Sequence, residues 1–298
     1  MTPAKSLHHV VMYSGGIGSY MAAKRVVAAH GAENATLLFA DTRIEDEDLY
    51  RFLDESAVKL GTRLVKIAEG STVWELFRKH RFLGNSRIDL CSRILKRELM
   101  DRWVKERYEP VDVRCYVGID WNEEHRFTRM APRKLPYVYL APLLEPPLLL
   151  KEDMLAELER DGITMPRLYR MGFSHNNCGG FCVKAGVGHF KLLLTSMRAR
   201  YIEHEEQELA FQVFIGKPVT ILRRQRNGVR ENLSLRQLRL EIEAGATVDE
   251  TDVGGCGCMI DINEALPKAE DEGSENASKK PSQPVDIPKR VGSPNLQP

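Results

Sequence analysis

The sequence lacks any apolar run approaching the roughly 20 residues that a membrane-spanning helix requires, and no membrane association is expected. It also lacks an excess of charge of either sign. Lys and Arg total 43 against 42 for Asp and Glu, a formal net charge of +1, which argues against a generally basic nucleic-acid wrapper and against an acidic solvating chain. Aromatic residues make up only 7%. The opening stretch MTPAKSLHHVVMYSGG has no secretory pattern of basic and long apolar segments, so the expectation is a soluble cytoplasmic protein with reduced thiols. What is present is a hydrophobic fraction of 43% over 298 residues, enough for a large core, and six cysteines that are clustered rather than spread as a disulfide framework.

Short apolar runs alternate with helical patterns through the first half. LHHVVMY (7–13), TLLFAD (36–41), TRLVKI (62–67) and VRCYVGI (113–119) read as strands; 20–29, 46–60 and 72–80 read as helices. That alternation predicts an α/β fold, a doubly wound and mostly parallel sheet covered on both faces. Near residue 141 the texture changes, because Pro142, Pro146 and Pro147 interrupt an apolar run and exclude a central strand. Expected beyond it are a helix over 151–161, a cysteine-bearing loop, a helix over 186–212, a β-like segment at 218–224 and a short helix from Ser234. The chain is thus read as a nucleotide-binding domain (1–140), a cysteine-containing, basic, helical and irregular region (141–266) and a tail (267–298). The tail holds six of the 15 prolines and no aromatic residue, and disorder is expected there.

Between the first strand and first helix lies Ser14-Gly15-Gly16-Ile17-Gly18-Ser19. Amide groups of a glycine turn and the positive end of a helix converge at such a place, and the two serines add hydroxyl donors, so an anion site is expected. Neither G-x-x-x-x-G-K-[ST] nor the complete dinucleotide fingerprint is present. SGGIGS resembles the SGG-x-[DG]-S loop of the PP-loop ATP pyrophosphatases. Further landmarks follow in the order found in the phosphoadenosine-phosphosulfate reductase-like branch: Asp41-Thr42 at a strand end, Leu90-Cys91-Ser92-Arg93-Ile94-Leu95-Lys96, Gly118 to Arg126, PLLE at 142–145 and GITMPRLY at 162–169.

The resemblance covers about residues 7–195 and implies an adenine nucleotide α-hydrolase-like fold that binds ATP or a related adenine nucleotide with Mg2+. It implies that Ser14, Gly15, Gly16, Gly18 and Ser19 cradle phosphates and that Asp41 and Thr42 lie beside the nucleotide. Arg93 and Lys96 would neutralise phosphate or sulfate charge, Cys91 would face the nucleotide as a catalytic thiol or as a small buried residue, and Glu124 and Arg126 would complete the polar wall. Gly18 departs from the many members with Asp, which removes one carboxylate for magnesium. The Glu-Cys-Gly-Leu-His motif of the thioredoxin-dependent reductases is also absent, so adenylation with pyrophosphate release is favoured over sulfonucleotide reduction proper. A nucleic-acid-binding or regulatory protein that keeps the nucleotide fold and a structural zinc but has lost catalysis is the rival from outside enzymology.

Cys178-Gly-Gly-Phe-Cys182 and Cys256-Gly-Cys258 are tight pairs set in glycine, together a candidate sulfur site for an iron–sulfur cluster or for Zn2+, with His175 and His189 as substitute ligands. A sulfur-carrying thiol pair and plain structural thiols are the alternatives. Cys115, inside a strand, is expected in the core. Lys217–Arg239 carries seven basic residues and one acid, a local +6 that fits either a nucleic-acid backbone or a solvated face, whereas 41–55 carries seven acids and two arginines. Glu45 to Asp48 within it is expected to be the solvated first turn of a helix.

Overall fold

The computed structural model describes residues 7–85, 88–226 and 228–255. Its chain order is β1 (His8–Met12), α1 (Ile17–His30), β2 (Ala35–Asp41), α2 (Glu47–Leu60), β3 (Arg63–Ala68) and α3 (Val73–His80). A π-helical segment (Ser92–Glu98) then runs into α4 (Leu99–Lys105), followed by β4 (Val113–Val117), α5 (Glu124–Met130) and the two-residue β5 (Tyr139–Leu140). The remainder is α6 (Lys151–Arg160), α7 (Arg167–Arg170), α8 (Val187–Ser196), α9 (Arg198–Ile215), the hairpin β6 (Leu222–Arg226) and β7 (Val229–Leu233), and α10 (Leu235–Glu243).

The main sheet has the order β3-β2-β1-β4-β5, and every pairing in it is parallel. The expected α/β architecture is present. Covered on both faces, β2 is buried over Ala35–Ala40, which is why its sequence reads as an unbroken apolar run rather than an alternation. Val11, Tyr13, Leu37 and Phe39 face α1, α2 and α6, while Val10, Met12, Leu38 and Ala40 face Met100, Val104 and Met130. A third apolar core forms where Trp74 and Phe77 of α3 meet Phe181, Phe190, Tyr201, Phe211 and the hairpin residues Leu222 and Leu233.

Local chemistry sets the element ends. Asp46 caps α2 by accepting from the Asp48 amide at 3.0 Å, and Gly61, left-handed at φ 61°, ends that helix. Thr72 and Glu75 form a capping box on α3, and Ser234 caps α10.

Three expectations shift. The helix over 186–212 is two helices, broken at Met197, which leaves helical geometry at φ −139° and ψ 55° with no Pro or Gly to signal it. The β-like segment begins at Leu222 and pairs with β7, a strand whose VRENL is too polar to stand out. Glu45 and Asp46 are 6% and 1% exposed and so are not solvated, whereas Glu47, exposed, and Asp48 do sit in the first turn of α2 as expected. The partners of Glu45 and Asp46 come from far along the chain. Lys96 Nζ lies 3.2 Å from Glu45, the Cys178 amide donates to the same carboxylate, and Arg167 reaches Asp46 at 2.8 Å.

Candidate functional site

β1 has β2 on one side and β4 on the other, and its chain continues into α1. In an open parallel sheet the crevice for a ligand opens outside the carboxyl ends of the strands where the winding direction reverses. A cavity of about 350 Å³ lies at that place, between Met12 and Val117 at the ends of β1 and β4. Ser14, Gly16, Gly18 and Ser19 line it, as does Arg126.

The Ser14–Ser19 turn is held by specific contacts. Gly15 adopts φ +76°, and a Cβ there would stand 2.4 Å from Leu49 Cδ1, so a glycine is required both by conformation and by the packing of α2. Asn176, 2% exposed, donates to the Gly15 carbonyl at 2.9 Å and ties the 174–177 loop to the turn. Ser19 Oγ donates to the Gly16 carbonyl at 2.8 Å, and Ser14 Oγ donates to Ser19 Oγ at 3.3 Å. At the end of β4 the backbone of Gly118 presses against the start of α1: a Cβ on Gly118 would lie 2.6 Å from Ser19 N and Cα, and one on Gly18 would lie 3.0 Å from the Gly118 carbonyl oxygen. Absence of a carboxylate at position 18 therefore accompanies a close approach of two backbones.

Helix α1 starts without a side-chain cap, since Gly16 occupies the N-cap. The Ile17 amide donates to Tyr169 Oη at 3.1 Å. Among the described residues, no protein acceptor meets the amides of Gly18 and Ser19, which belong to the positive end of the helix beside the cavity.

Sequence reasoning missed the cation on the far wall. Lys151, at the start of α6, lines the cavity, donates to the Ser174 carbonyl at 3.1 Å and lies 5.0 Å from the centre of the Tyr169 ring. Burial draws its pKa below the ordinary lysine value. Arg126 of α5 is paired with Glu123, which also lines the cavity together with Asp120. Tyr169, His175, Asn176 and Asn177 complete that wall, all from a stretch that carried only a resemblance in sequence.

Other expected residues lie elsewhere. Asp41 ends β2, and its Oδ1 accepts from the Arg43 amide at 2.7 Å and from Tyr50 Oη at 2.9 Å; Thr42 is buried and donates to Glu45 at 2.9 Å. Neither lines the cavity, nor does Glu124, which is exposed at the start of α5. Lys96 is 5% exposed and sits between the Glu45 carboxylate and Cys178 Sγ, the latter 3.7 Å from its Nζ. Arg93 Nε stands 3.5 Å from Glu98, and Cys91 is buried against Leu90 and Leu95 in the third core. None of these groups lines the cavity beside the Ser14–Ser19 turn.

Cys178 is buried, Cys182 is half-buried, and both belong to one loop, Cys178 with a left-handed φ of 50°. Cys256 and Cys258 lie outside the described residues. Among the described residues no group of three or more His, Cys, Asp or Glu is arranged to hold a metal ion. His189 Nε2 donates to the Gly180 carbonyl at 2.7 Å, and the ring is packed edge-on to Phe173. Cys115 is fully buried on β4, and burial pushes its thiol up to about 12.

Three of the seven basic residues of this stretch, Arg224, Arg236 and Arg239, are paired within the fold. Arg224 binds Glu241 at 2.7 Å and approaches Glu231, Arg239 binds Glu205 at 2.7 Å and Glu243 at 2.9 Å, and Arg236 binds Glu205 at 3.0 Å. Lys217, Arg223 and Arg230 are exposed.

No protein-family model matches this sequence, and no curated protein matches it in sequence. Among solved structures the chain is similar to phosphoadenylyl-sulfate (PAPS) reductase from Candida auris in a phosphate complex. The identity is 15% and the TM-score 0.40, with 58% of this chain and 80% of that one covered. It is similar also to NH3-dependent NAD synthetase from Campylobacter jejuni subsp. jejuni in complex with the nitrate ion. There too the identity is 15% and the TM-score 0.40, with 74% of this chain and 91% of that one covered. No helix among the described residues is long and apolar enough to cross a membrane.

Proposed function

We propose that the protein is a PP-loop enzyme that binds ATP or a related adenine nucleotide at the carboxyl ends of β1 and β4 and adenylates an acceptor with release of pyrophosphate. The observation that carries this reading is the uncapped start of α1, where the Gly18 and Ser19 amides and Ser14 share one cavity with Lys151 and Arg126. A polyanion is the ligand that such a set of donors satisfies.

In the reaction, a nucleophilic atom of the acceptor attacks the α-phosphorus. The bond from that phosphorus to the α,β-bridging oxygen breaks, pyrophosphate leaves with the electron pair, and the acceptor's proton passes to solvent. Negative charge grows on the departing oxygen and on the non-bridging oxygens, and the amides of the turn with Lys151 are the preorganised donors that stabilise it. Asn176 keeps the turn in place, and Lys96 acts at one remove, by holding Glu45 and so the backbone at Cys178. Asp120 and Glu123 are the carboxylates that would meet magnesium entering with the nucleotide, and the ion would supply further charge neutralisation.

Cys178 directly follows the cavity-lining residues His175, Asn176 and Asn177, so it is the thiol best placed to receive sulfur or electrons beside the nucleotide. Two thiols of one loop do not complete a metal site.

Calorimetric titration with ATP, and assay of pyrophosphate and AMP with candidate acceptors, test the reading. Lys151→Ala should weaken ATP binding about 10- to 100-fold, the range of a charge-assisted hydrogen bond. Ser14→Ala should weaken it less, and Cys178→Ser should leave it unchanged while abolishing any sulfur transfer. Wild-type protein that binds no ATP, or a Lys151→Ala variant that binds it equally well, would defeat the assignment. Tighter binding of phosphoadenylyl-sulfate than of ATP would move it to sulfonucleotide reduction.

A further inference from the structure

A second cavity, of about 570 Å³, opens at the other end of the sheet, where β1 and β4 begin. His9 and Ser14 are five positions apart on or beside one strand, so the two cavities are separated by about 16 Å at the rise of an extended chain. Nothing in the adenylation reading uses this end.

Its chemistry is distinct from that of an ordinary surface hollow. His9 lines it although the residue is only 4% exposed. The His9 Nδ1 lies 2.7 Å from Tyr116 Oη, and that hydroxyl also approaches His30 Nε2 at 3.3 Å. The two imidazoles stack with centroids 3.8 Å apart and planes 7° from parallel. His9 Nε2 has no protein partner among the described residues. Arg114 donates from Nη1 to the carbonyls of Val113 and Pro110, at 2.9 and 3.4 Å, which leaves its Nε and Nη2 hydrogens without a protein acceptor among the described residues. Arg25 is spent differently. It donates to the carbonyls of Pro142 and Glu145 at 2.7 and 2.8 Å and to that of Pro147, fixing the proline loop that forms one wall.

The groups that face His9 come from every neighbouring element: His8 on its own strand, Arg25 and His30 on α1, Arg114 and Tyr116 on β4, and Glu145 on the proline loop. Glu145 is the single carboxylate among the lining residues. Burial first, then the positive charge of His30, His8 and Arg114, pushes His9 down to about 4. The cavity is therefore electropositive and dry enough to keep an imidazole neutral. Val26, Ala29, Leu140 and Pro146 supply an apolar wall beside the polar end.

We propose that this cavity binds a small organic carboxylate, its head on the Nε–Nη2 edge of Arg114 with His9 Nε2 beside it, its apolar body along Val26, Leu140 and the proline loop. A guanidinium edge takes two oxygens of a carboxylate in a planar fork; inorganic phosphate can use the same fork but has no apolar body to lay along Val26, Leu140 and Pro146, and an alcohol lacks the charge. Bound negative charge also favours protonated His9 and raises its pKa from about 4, so affinity rises as the pH falls through that raised value toward 4.

Titration calorimetry of the full chain with hexanoate, benzoate, hexanol and inorganic phosphate tests this. Saturable binding of at least one carboxylate is expected, tighter at pH 5.5 than at pH 7.5, at least tenfold weaker in Arg114→Gln, with hexanol and phosphate failing to compete. Because Arg114 also supports the chain at Pro110, Ala29→Trp is the second variant. Its indole on an exposed helix end should fill the cavity and abolish binding while the melting temperature holds. The proposal is overturned if neither carboxylate binds saturably, if hexanol or phosphate binds as well, if affinity is the same at both pH values, or if a folded Ala29→Trp protein binds normally. None of these results depends on whether ATP binds at the other end.

Discussion

Gly118 shows how much of the candidate site rests on single atoms. A methyl group there meets the backbone of Ser19 at 2.6 Å, and backbone at a helix start cannot swing aside as a side-chain tip can. Gly118→Ala should therefore cost about 1–3 kcal/mol, the usual range for overpacking, and weaken nucleotide binding as the turn is displaced; chemical denaturation and calorimetry measure the two effects. Gly18→Ala meets a carbonyl oxygen at 3.0 Å and should cost less. A second residue-scale test concerns Glu45, 6% exposed and shared by Thr42, Lys96 and Cys178. Glu45→Gln leaves the Lys96 ammonium buried without its carboxylate, and a loss of about 3–5 kcal/mol in urea unfolding is expected. An equal stability in the variant would mean that the pair contributes nothing. By contrast Glu243, partnered with Arg198 at the surface, should tolerate Gln with little change.

Elements follow a different logic, in which one buried group can hold a whole unit. The β6–β7 hairpin and α10 are tied to α9 by Glu208, which is fully buried and accepts from the amides of Ile221 and Leu235 at 2.9 and 2.7 Å. Burial raises its carboxyl to about 7. The folded form thus keeps a proton that the unfolded form releases above 4.5, so the stabilisation from this group is full below 4.5 and is lost as the pH rises through 7. Glu208→Gln should remove that loss, so the variant's melting temperature should gain on that of the wild type as the pH rises from 5 to 7; a constant difference would show that another group titrates there.

This scale is also where sequence reading succeeded and then ran out. Strands such as Ala35–Asp41 and helices such as Glu47–Leu60 were legible because apolar periodicity and capping are written in neighbouring residues. The Ser14–Ser19 turn was legible for the same reason, as a glycine-rich link between a strand and a helix. Lys151 was not, because nothing near it in sequence marks it as a phosphate-side cation; only the packing of α6 against α1 brings it to the cavity. Lys96 failed in the opposite sense. The resemblance implied that Lys96 and Arg93 neutralise ligand charge, but Lys96 pairs with Glu45, a residue 51 positions earlier in the chain that no local pattern ties to it. The basic run likewise looked unopposed because Glu205 belongs to an earlier helix.

Taken as a whole, the molecule carries titrating groups that pull in opposite directions. His9 and His204 are held neutral by burial, at about 4 and about 3, so their stabilisation is full above the ordinary 6.5 and is lost as the pH falls through those values. Glu208 opposes them between 4.5 and 6.5 and acts alone between 6.5 and 7. With each unmatched proton changing stability by about 1.4 kcal/mol per pH unit, the two histidines outweigh the one carboxyl on the acid side. Stability should peak near pH 6.5 and fall more steeply toward acid than toward base. A melting-temperature profile checks this, and His204→Phe should reduce the acid slope while keeping the packing against Phe181.

Helix α1 begins without a cap, and that feature bears on the life of the protein as well as on its chemistry. A side chain that capped the helix would be present at all times, whereas a soluble anion comes and goes with metabolism. If ATP is that anion, every complex is withdrawn from the unfolding equilibrium, and the gain grows with the ratio of ligand to dissociation constant. Protease resistance of the purified protein should then rise with ATP concentration, logarithmically once the site is mostly filled, and should not respond to adenosine, which brings no anion to the helix start.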